Sequence, residues 1–256
     1  MMSIPGFSLE GKVAIVTGGK RGIGKAIALA FAEAGADVVV CSRRVEDGGL
    51  LAVADQIQRL GRRSLAIQAD ISKKTDIDNL VQKVMDEFGS IDILVNNAAV
   101  ILRKPLLEHS EADWDMVINT DLKGCYLCSQ AVSKRMVEQR QGSIINVASW
   151  VAMKARKNLG VYCIAKAGVE MLTRVLALEL GSYNIRVNAI APGAVKTEMS
   201  RSIWDDPEQI KEYERMIPLG YLAEPSDVVG SALFLASDAS SYITGHTIIV
   251  DGGLLA

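Results

Sequence analysis

The sequence contains few of the residues from which metal sites and disulfide frameworks are built. It has only four cysteines and two histidines in 256 residues. The single Cys-x-x-C, formed by Cys125 and Cys128, has no second pair and no nearby histidine to complete a zinc site. We therefore expect no metal and no disulfides, and we interpret both cysteines as small apolar residues on one face of a helix.

An excess of charge of one sign and long apolar runs are also missing. The net charge of −2 leaves no basic excess of the kind that nucleic-acid binding requires. No apolar run approaches the roughly 18 residues of a membrane span. Residues 1–12 lack the charged region and apolar run of a signal peptide. We expect a cytoplasmic protein that binds neither nucleic acid nor a membrane.

Aromatic residues are scarce at 5%, although hydrophobic residues reach 49%, so we expect a mostly aliphatic core. Short β-rich runs alternate along the chain with longer amphipathic stretches. Strands are predicted at residues 12–17, 37–41, 64–69, 91–95, 143–147, 186–191 and 247–250. Helices are predicted at residues 22–34, 45–60, 75–88, 112–138, 161–180 and 225–235.

This alternation requires parallel strands joined by right-handed crossover helices. It predicts an α/β fold, a single Rossmann-type domain over residues 1–256. Its doubly wound parallel sheet has about seven strands, with helices on both faces. Residues 195–222 break the rhythm and are predicted to form a lid at the edge of the sheet where ligands bind. The apolar side chains of this lid are Met199, Ile203, Trp204, Tyr213, Met216 and Ile217.

A glycine-rich turn lies between the first strand and the first helix. Glycines at 18, 22 and 24 allow a sharp turn and a close approach to a pyrophosphate, which the N-terminus of the helix would bind. The position of the turn, directly between a strand and a helix, supports this interpretation over an ordinary tight turn. The turn residues expected to bind a dinucleotide are Gly18, Lys20, Arg21, Gly22, Ile23 and Gly24.

The residues after the second strand favour NADP(H) over NAD(H). An NAD site has a carboxylate there, whereas this chain has Ser42 and Arg43. A guanidinium suits the geometry of a 2′-phosphate, and Lys20 adds a second positive charge. The alternative is that the arginine is only an exposed loop charge. Asp70, followed by Ile71, is placed to accept from the adenine amino group or, alternatively, to cap the next helix.

Tyr162 and Lys166 are separated by one helical turn and therefore lie on the same helix face. An ammonium group beside a phenol stabilises the phenolate, so we expect a lowered pKa for Tyr162. Such a tyrosine can exchange a proton with a carbonyl or alcohol oxygen. Ser149 follows the fifth strand and is placed to hydrogen-bond the same oxygen.

Taken together, these motifs resemble the short-chain dehydrogenase/reductase family over essentially the whole chain. The matching segments are residues 17–24, 96–99, Ser149, 162–166, Pro192-Gly193 and 251–253. The resemblance implies hydride transfer between a nicotinamide cofactor and a small ketone or secondary alcohol, and a homotetramer. It implies that Tyr162 transfers the proton and Lys166 also holds the nicotinamide ribose. It places Asn97, Pro192, Gly193, Val195 and Thr197 beside the cofactor.

One position departs from the family pattern. Asp121 stands where an asparagine usually supports a water molecule in the proton relay. An aspartate can still accept hydrogen bonds, but its charge depends on pH and helps to keep Lys166 protonated. We include Asp121 in the catalytic set and expect it to add an ionisation to the pH–rate profile.

The substrate is less well defined by the sequence. The resemblance extends to sugar-acid and polyol dehydrogenases and to 3-oxoacyl-(acyl-carrier-protein) reductases. Lys134 matches one of the two basic residues that dock a carrier, but Tyr183 stands at the other position, which favours a small substrate. Cations at Arg103, Lys104, Lys154, Arg156 and Lys157 would suit an anionic substrate such as a sugar acid or a keto acid; the alternative is that they are only solvated loop charges. A non-catalytic dinucleotide sensor is the alternative of another class, although a pure binding protein does not need the Ser149, Tyr162 and Lys166 set.

Overall fold

A seven-stranded parallel sheet organises the molecule, in a computed structural model that describes residues 6–256. The strand order is β3-β2-β1-β4-β5-β6-β7. The strands are β1 Val13–Thr17, β2 Asp37–Ser42, β3 Ser64–Gln68, β4 Ile93–Asn96, β5 Gly142–Val147, β6 Ile185–Pro192 and β7 Thr247–Val250. Residues 1–5, part of the stretch considered for a signal peptide, lie outside the described residues.

Helices cover both faces of the sheet. They are α1 Gly22–Glu33, α2 Gly49–Arg59, α3 Lys74–Phe88, α4 Glu111–Val117, α5 Gly124–Gln139, α6 Gly160–Leu180, α7 Arg201–Trp204, α8 Pro207–Met216 and α9 Pro225–Ala236. One aliphatic core lies under α1, α2 and α9, and the other lies under α3, α5 and α6. β1 and β5 are buried along their whole length because both faces of the sheet are covered. The predicted doubly wound fold is confirmed.

Two predicted helices differ from the structure. The helix predicted over residues 45–60 begins only at Gly49, because Gly48 adopts left-handed backbone angles, with φ of 70°. The helix predicted over residues 112–138 is interrupted by the wide π-helical turn Ile118–Lys123 between α4 and α5. This turn contains Asp121 and buries its side chain. π-Helical turns occur often at functional sites.

The segment that follows β6 contains α7 and α8. Ile203, Tyr213 and Ile217 from this segment pack in one apolar cluster with Trp150 and Tyr162. Val195 pairs with Ala223 in an isolated parallel bridge, which joins the two ends of the segment. Residues 195–222 therefore lie against the carboxyl ends of the central strands.

Cys125 and Cys128 are buried in α5, and the four cysteines are free thiols. Burial raises the pKa of Cys125 to about 12, which keeps it a thiol at neutral pH. Within residues 6–256 there is no cluster of histidine, cysteine and carboxylate side chains suited to a metal ion. Over the same range, no helix has the length and apolar character to cross a membrane.

Candidate active site

The glycine-rich turn is held rigidly against the strand next to it. Gly18 has φ of 65°, and a Cβ atom there would lie 2.9 Å from the backbone of Ala98. The hydroxyl of Thr17 accepts from the backbone N–H of Asn97 at 3.0 Å, and the amide Nδ2 of Asn97 donates to the carbonyl of Thr17 at 2.9 Å. Only glycine fits at position 18, because a side chain there would clash with Asn97 and Ala98, and Gly18 also lines the cavity.

The N-terminus of α1 opens onto this turn. No side chain caps it, so its first N–H groups have no side-chain partner. Gly24 packs behind the turn, where a Cβ atom would meet the Nδ2 atom of Asn97 and lie 2.6 Å from the carbonyl oxygen of Gly18. An uncapped helix N-terminus beside a glycine cradle fits the pyrophosphate of a dinucleotide.

The end of β2 and the end of β3 form the distal part of the site. Arg43 is exposed there, and its charge reaches Asp70. Asp70 accepts from the backbone N–H and the hydroxyl of Ser72, at 3.0 and 2.7 Å. Burial acts against ionisation, but these bonds and Arg43 lower the pKa of Asp70. Asp70 does not cap the next helix, which was its alternative predicted role, because α3 begins at Lys74 without a side-chain cap.

Ser149, Tyr162 and Lys166 meet at the centre of the sheet edge. Ser149 follows β5, whereas Tyr162 and Lys166 lie in the first two turns of α6. The ammonium of Lys166 donates to the carbonyl of Val147 at 2.9 Å and lies 5.5 Å from the centre of the Tyr162 ring. All three side chains are buried. A phenol, a hydroxyl and an ammonium are thus held together with little freedom to move.

The expected lowering of the Tyr162 pKa does not occur. Burial raises the pKa of Tyr162, and the nearby charge of Asp121 raises it further. Lys166, Ser149 and Arg103 act in the opposite direction but do not overcome these effects. An ammonium alone would lower the pKa of a neighbouring phenol, but here desolvation and the charge of Asp121 outweigh it.

Asp121 lies directly behind Lys166. Its Oδ1 accepts from the backbone N–H of Val100 at 2.8 Å, and its Oδ2 is 3.6 Å from the Nζ of Lys166. Burial raises the pKa of Asp121 to about 6, although Lys166 opposes this rise. Burial alone would lower the pKa of Lys166, but Tyr162 and Asp121 raise it, so the ammonium stays charged.

One cavity of about 390 Å³ connects these groups. Its volume lies in the range of small-molecule sites. Of the predicted site residues, only Gly24 and Asp121 do not reach its wall. The predicted residues that line it are Gly18, Lys20, Arg21, Gly22, Ile23, Ser42, Arg43, Asp70, Ile71, Asn97, Ser149, Tyr162, Lys166, Pro192, Gly193, Val195 and Thr197.

The five loop cations expected near the substrate differ in their surroundings. Arg103 lines the cavity, and its charge reaches Tyr162. Lys104 pairs with Asp113 at 2.7 Å, and Arg156 pairs with Glu212 at 3.7 Å and lies over the ring of Tyr213. Lys154 and Lys157 are exposed and do not line the cavity. Of these five cations, only Arg103 lies in the wall of the cavity.

Some wall residues were not identified from the sequence. Thr120 reaches the cavity from the π-helical turn, and Leu159 reaches it from the residue before α6. Neither belongs to a recognisable motif, because each is placed by an irregular backbone.

The six apolar side chains predicted for the lid divide into two groups. Met199, Ile203 and Tyr213 line the cavity, whereas Trp204, Met216 and Ile217 do not.

The residues fit a dinucleotide along the glycine-rich turn and the ends of β2 and β3, and the cavity leaves space for a small molecule beside Tyr162. A nicotinamide cofactor, when bound, supplies or accepts the hydride. The chain offers a glycine-rich turn suited to its phosphates, a buried phenol able to exchange a proton, and a buried ammonium beside that phenol. Together with the doubly wound sheet, this arrangement defines the class of Rossmann-type oxidoreductases.

Comparisons with known proteins narrow this class. A short-chain dehydrogenase family model, described as enoyl-(acyl carrier protein) reductase, matches residues 18–255. The chain is 43% identical over 256 residues to 2-dehydro-3-deoxy-D-gluconate 5-dehydrogenase of Escherichia coli (strain K12). The matched region covers 100% of both proteins. It is 42% identical over 244 residues to a 3-oxoacyl-(acyl-carrier-protein) reductase of Staphylococcus epidermidis, covering 95% of this chain and 98% of the relative.

A solved structure shows the same fold throughout. The gluconate 5-dehydrogenase of Burkholderia cenocepacia J2315, in complex with NADP and tartrate, superposes with a TM-score of 0.94. It is 32% identical and covers 99% of both chains. The chain belongs to the short-chain dehydrogenase/reductase family, and it is an oxidoreductase.

Proposed function

We propose that the chain uses NADP(H) to interconvert a ketone and a secondary alcohol on a small anionic substrate, such as a sugar acid or a keto acid. The observation that carries this proposal is the convergence of Ser149, Tyr162 and Arg103 on one cavity with the glycine-rich turn. A phenol and a hydroxyl serve the reacting oxygen, and a guanidinium serves a carboxylate.

The proposed roles follow from the surroundings of each side chain. Tyr162 gives a proton to the carbonyl oxygen during reduction and takes it back during oxidation. Ser149 hydrogen-bonds the same oxygen and stabilises its developing charge. Lys166 holds positive charge beside the phenol, and Asp121 balances that charge from behind.

The choice of NADP(H) rests on the end of β2, where Ser42 and Arg43 stand and no carboxylate is present. The 2′-phosphate carries close to two negative charges, and Arg43 offers a planar fork of donors to it. Asp70 and Ile71 would lie against the adenine. The similar Burkholderia cenocepacia enzyme was solved with NADP, which supports this choice.

The choice of an anionic substrate rests on Arg103. Within the described residues it is not part of any ion pair, unlike Lys104 and Arg156. The name of the related 2-dehydro-3-deoxy-D-gluconate 5-dehydrogenase and the presence of tartrate in the Burkholderia cenocepacia structure support a carboxylated substrate.

We also propose that residues 195–222 act as the substrate lid of a single domain, and that the chain assembles as a homotetramer. The lid proposal is supported by Ile203 and Tyr213, which line the cavity from this segment. The assembly proposal is supported by an exposed apolar face of α6. This face consists of Ile164, Met171, Val175 and Leu178.

The test is a fluorescence titration of the purified protein with NADPH and NADH, followed by a substrate panel. The panel contains sugar acids, keto acids, neutral ketones, and 3-oxoacyl groups on a carrier and on a small thioester. We expect tighter binding of NADPH and turnover of a carboxylated ketone. Tighter binding of NADH would contradict the cofactor assignment. A marked preference for the carrier-bound substrate would favour a carrier-protein reductase, and binding without turnover would favour a sensor.

A further inference from the structure

Lys20 of the glycine-rich turn is held by a carboxylate from the loop after β2. Its Nζ lies 2.5 Å from the Oδ2 of Asp47 and donates to the carbonyl of Arg44 at 3.4 Å. The stem of Lys20 passes Gly49, where a Cβ atom would lie 3.4 Å from its Cγ and Cε atoms. The side chain of Lys20 is only 15% exposed, so the ammonium is directed at this loop.

Asp47 is fixed as well. Its second oxygen, Oδ1, accepts from the backbone N–H of Gly49 at 3.1 Å, at the start of α2. The hydrogen bonds from Lys20 and Gly49 lower the pKa of Asp47, so it is ionised at neutral pH. The carboxylate therefore has two partners, one on each oxygen, and Lys20 is the charged one.

The location of this pair connects it with cofactor choice. Lys20 lines the cavity together with Ser42 and Arg43, where the proposed function places the 2′-phosphate. Asp47 and the carbonyl of Arg44 take two of the three donors of this ammonium, and Asp47 neutralises its charge, so full pairing with a 2′-phosphate requires Lys20 to exchange the carboxylate for the phosphate. NADH has no 2′-phosphate, so its binding does not require this exchange.

We infer that Asp47 is a specificity-determining residue that withholds Lys20 from the 2′-phosphate and so limits the preference for NADPH over NADH. This inference rests on the proposed use of NADP(H). Arg43 then provides most of the recognition of the 2′-phosphate. A single substitution of Asp47 would free Lys20 to bind the phosphate as well. The opposite possibility is that Asp47 positions Lys20 for the phosphate, and it predicts the opposite change.

The experiment measures the dissociation constants of NADPH and NADH for the full chain and for Asp47→Asn. Asparagine keeps an oxygen able to accept from Gly49 and removes the charge. The Lys20–Asp47 pair is partly exposed, so we expect NADPH to bind about two- to fivefold more tightly to the variant. Binding of NADH should be unchanged. A thermal melt of each variant checks that the fold is retained.

Two further variants test whether the gain in NADPH affinity comes from the release of Lys20. Glu46→Gln makes the same change in net charge one residue away, where the carboxylate accepts from Val45 and does not pair with Lys20. We expect it to leave both constants unchanged. In a Lys20→Met background, we expect the gain from Asp47→Asn to fall below about twofold, because no ammonium remains to be released.

Several results would overturn the inference. They are weaker NADPH binding by Asp47→Asn, no change in the NADPH-to-NADH ratio, an equal gain from Glu46→Gln, or a full gain in the Lys20→Met background. The proposed cofactor is tested separately by the preference of the unmodified chain. A chain that prefers NADH would contradict that proposal, and the shift caused by Asp47→Asn would still decide the role of Asp47.

Discussion

The Oδ2 of Asp121 lies 3.6 Å from the Nζ of Lys166, and both side chains are almost completely buried. A buried carboxylate beside a buried ammonium changes the charge that Tyr162 experiences. The family usually has a neutral asparagine at this position. In this chain, the ionisation of Asp121 is therefore coupled to the ionisation of Tyr162.

Asp121→Asn should change the pH dependence of alcohol oxidation. Burial raises the pKa of Asp121 to about 6, so the group is ionised above that pH and then raises the pKa of Tyr162. As the pH falls through about 6, Asp121 is protonated, and Lys166 stabilises the phenolate without opposition. Near pH 6, the slope of log kcat/KM against pH should therefore be smaller than the slope that a single ionisation produces. In Asp121→Asn we expect a single ionisation, displaced to lower pH.

Asp115→Asn is the matched control for this measurement. Asp115 is exposed on α4, six residues before Asp121. Its replacement makes the same chemical change and should leave the profile as it is in the unmodified chain. If Asp121→Asn also leaves the profile unchanged, Asp121 has no part in the proton transfer.

Arg103→Gln should raise KM for a carboxylated substrate by about tenfold, because a charge-assisted hydrogen bond is lost. KM for a neutral ketone should change little. Lys154→Gln provides the control, since Lys154 is an exposed cation that does not line the cavity. Steady-state kinetics with an acid and its neutral analogue separate the two cases. An equal loss for both substrates would show that Arg103 does not recognise the carboxylate.

Gly24→Ala should lower the free energy of unfolding by about 1–3 kcal/mol and weaken cofactor binding. A Cβ atom at position 24 would lie 2.6 Å from the carbonyl oxygen of Gly18 and would also press on Asn97. Gly230→Ala is the control, because a Cβ atom there, in α9, meets nothing within 4 Å. That variant should gain about 0.5–1 kcal/mol in urea unfolding. Equal stability of the two variants would contradict the close packing of the turn.

Leu178→Glu should reduce the assembly to a smaller species. Leu178 is 86% exposed and lies in the apolar face of α6, so a buried interface would receive an unpaired charge. Leu51→Glu on α2 is the control, since Leu51 is also exposed but lies outside this face. Light scattering should give four chain masses for the unmodified protein and for the control. A monomer in all three samples would show that the face is not an interface.

The seven strands were predicted within two residues of their observed ends, because strands of a parallel sheet covered on both faces have short, largely aliphatic sequences. The glycine-rich turn and the Tyr162–Lys166 spacing were also recognisable, since both depend on short-range geometry.

Contacts between distant segments could not be predicted in this way. The pairing of Lys20 with Asp47 depends on where the loop after β2 folds back. Asp113 pairs with Lys104 and Glu212 pairs with Arg156. The sequence does not show these pairs, so it could not single out Arg103 among the five loop cations. The raised pKa of Tyr162 depends on burial and on Asp121, and the sequence gives no measure of either effect.

The most direct test of the proposed function compares NADPH oxidation by the unmodified chain and by Tyr162→Phe on a carboxylated ketone. Phenylalanine keeps the ring and removes the proton donor, so kcat should fall at least about 100-fold while the dissociation constant of NADPH changes little. This result would assign the proton transfer to Tyr162. Retention of most of the activity by Tyr162→Phe would contradict the account, because hydride transfer would then proceed without the phenol.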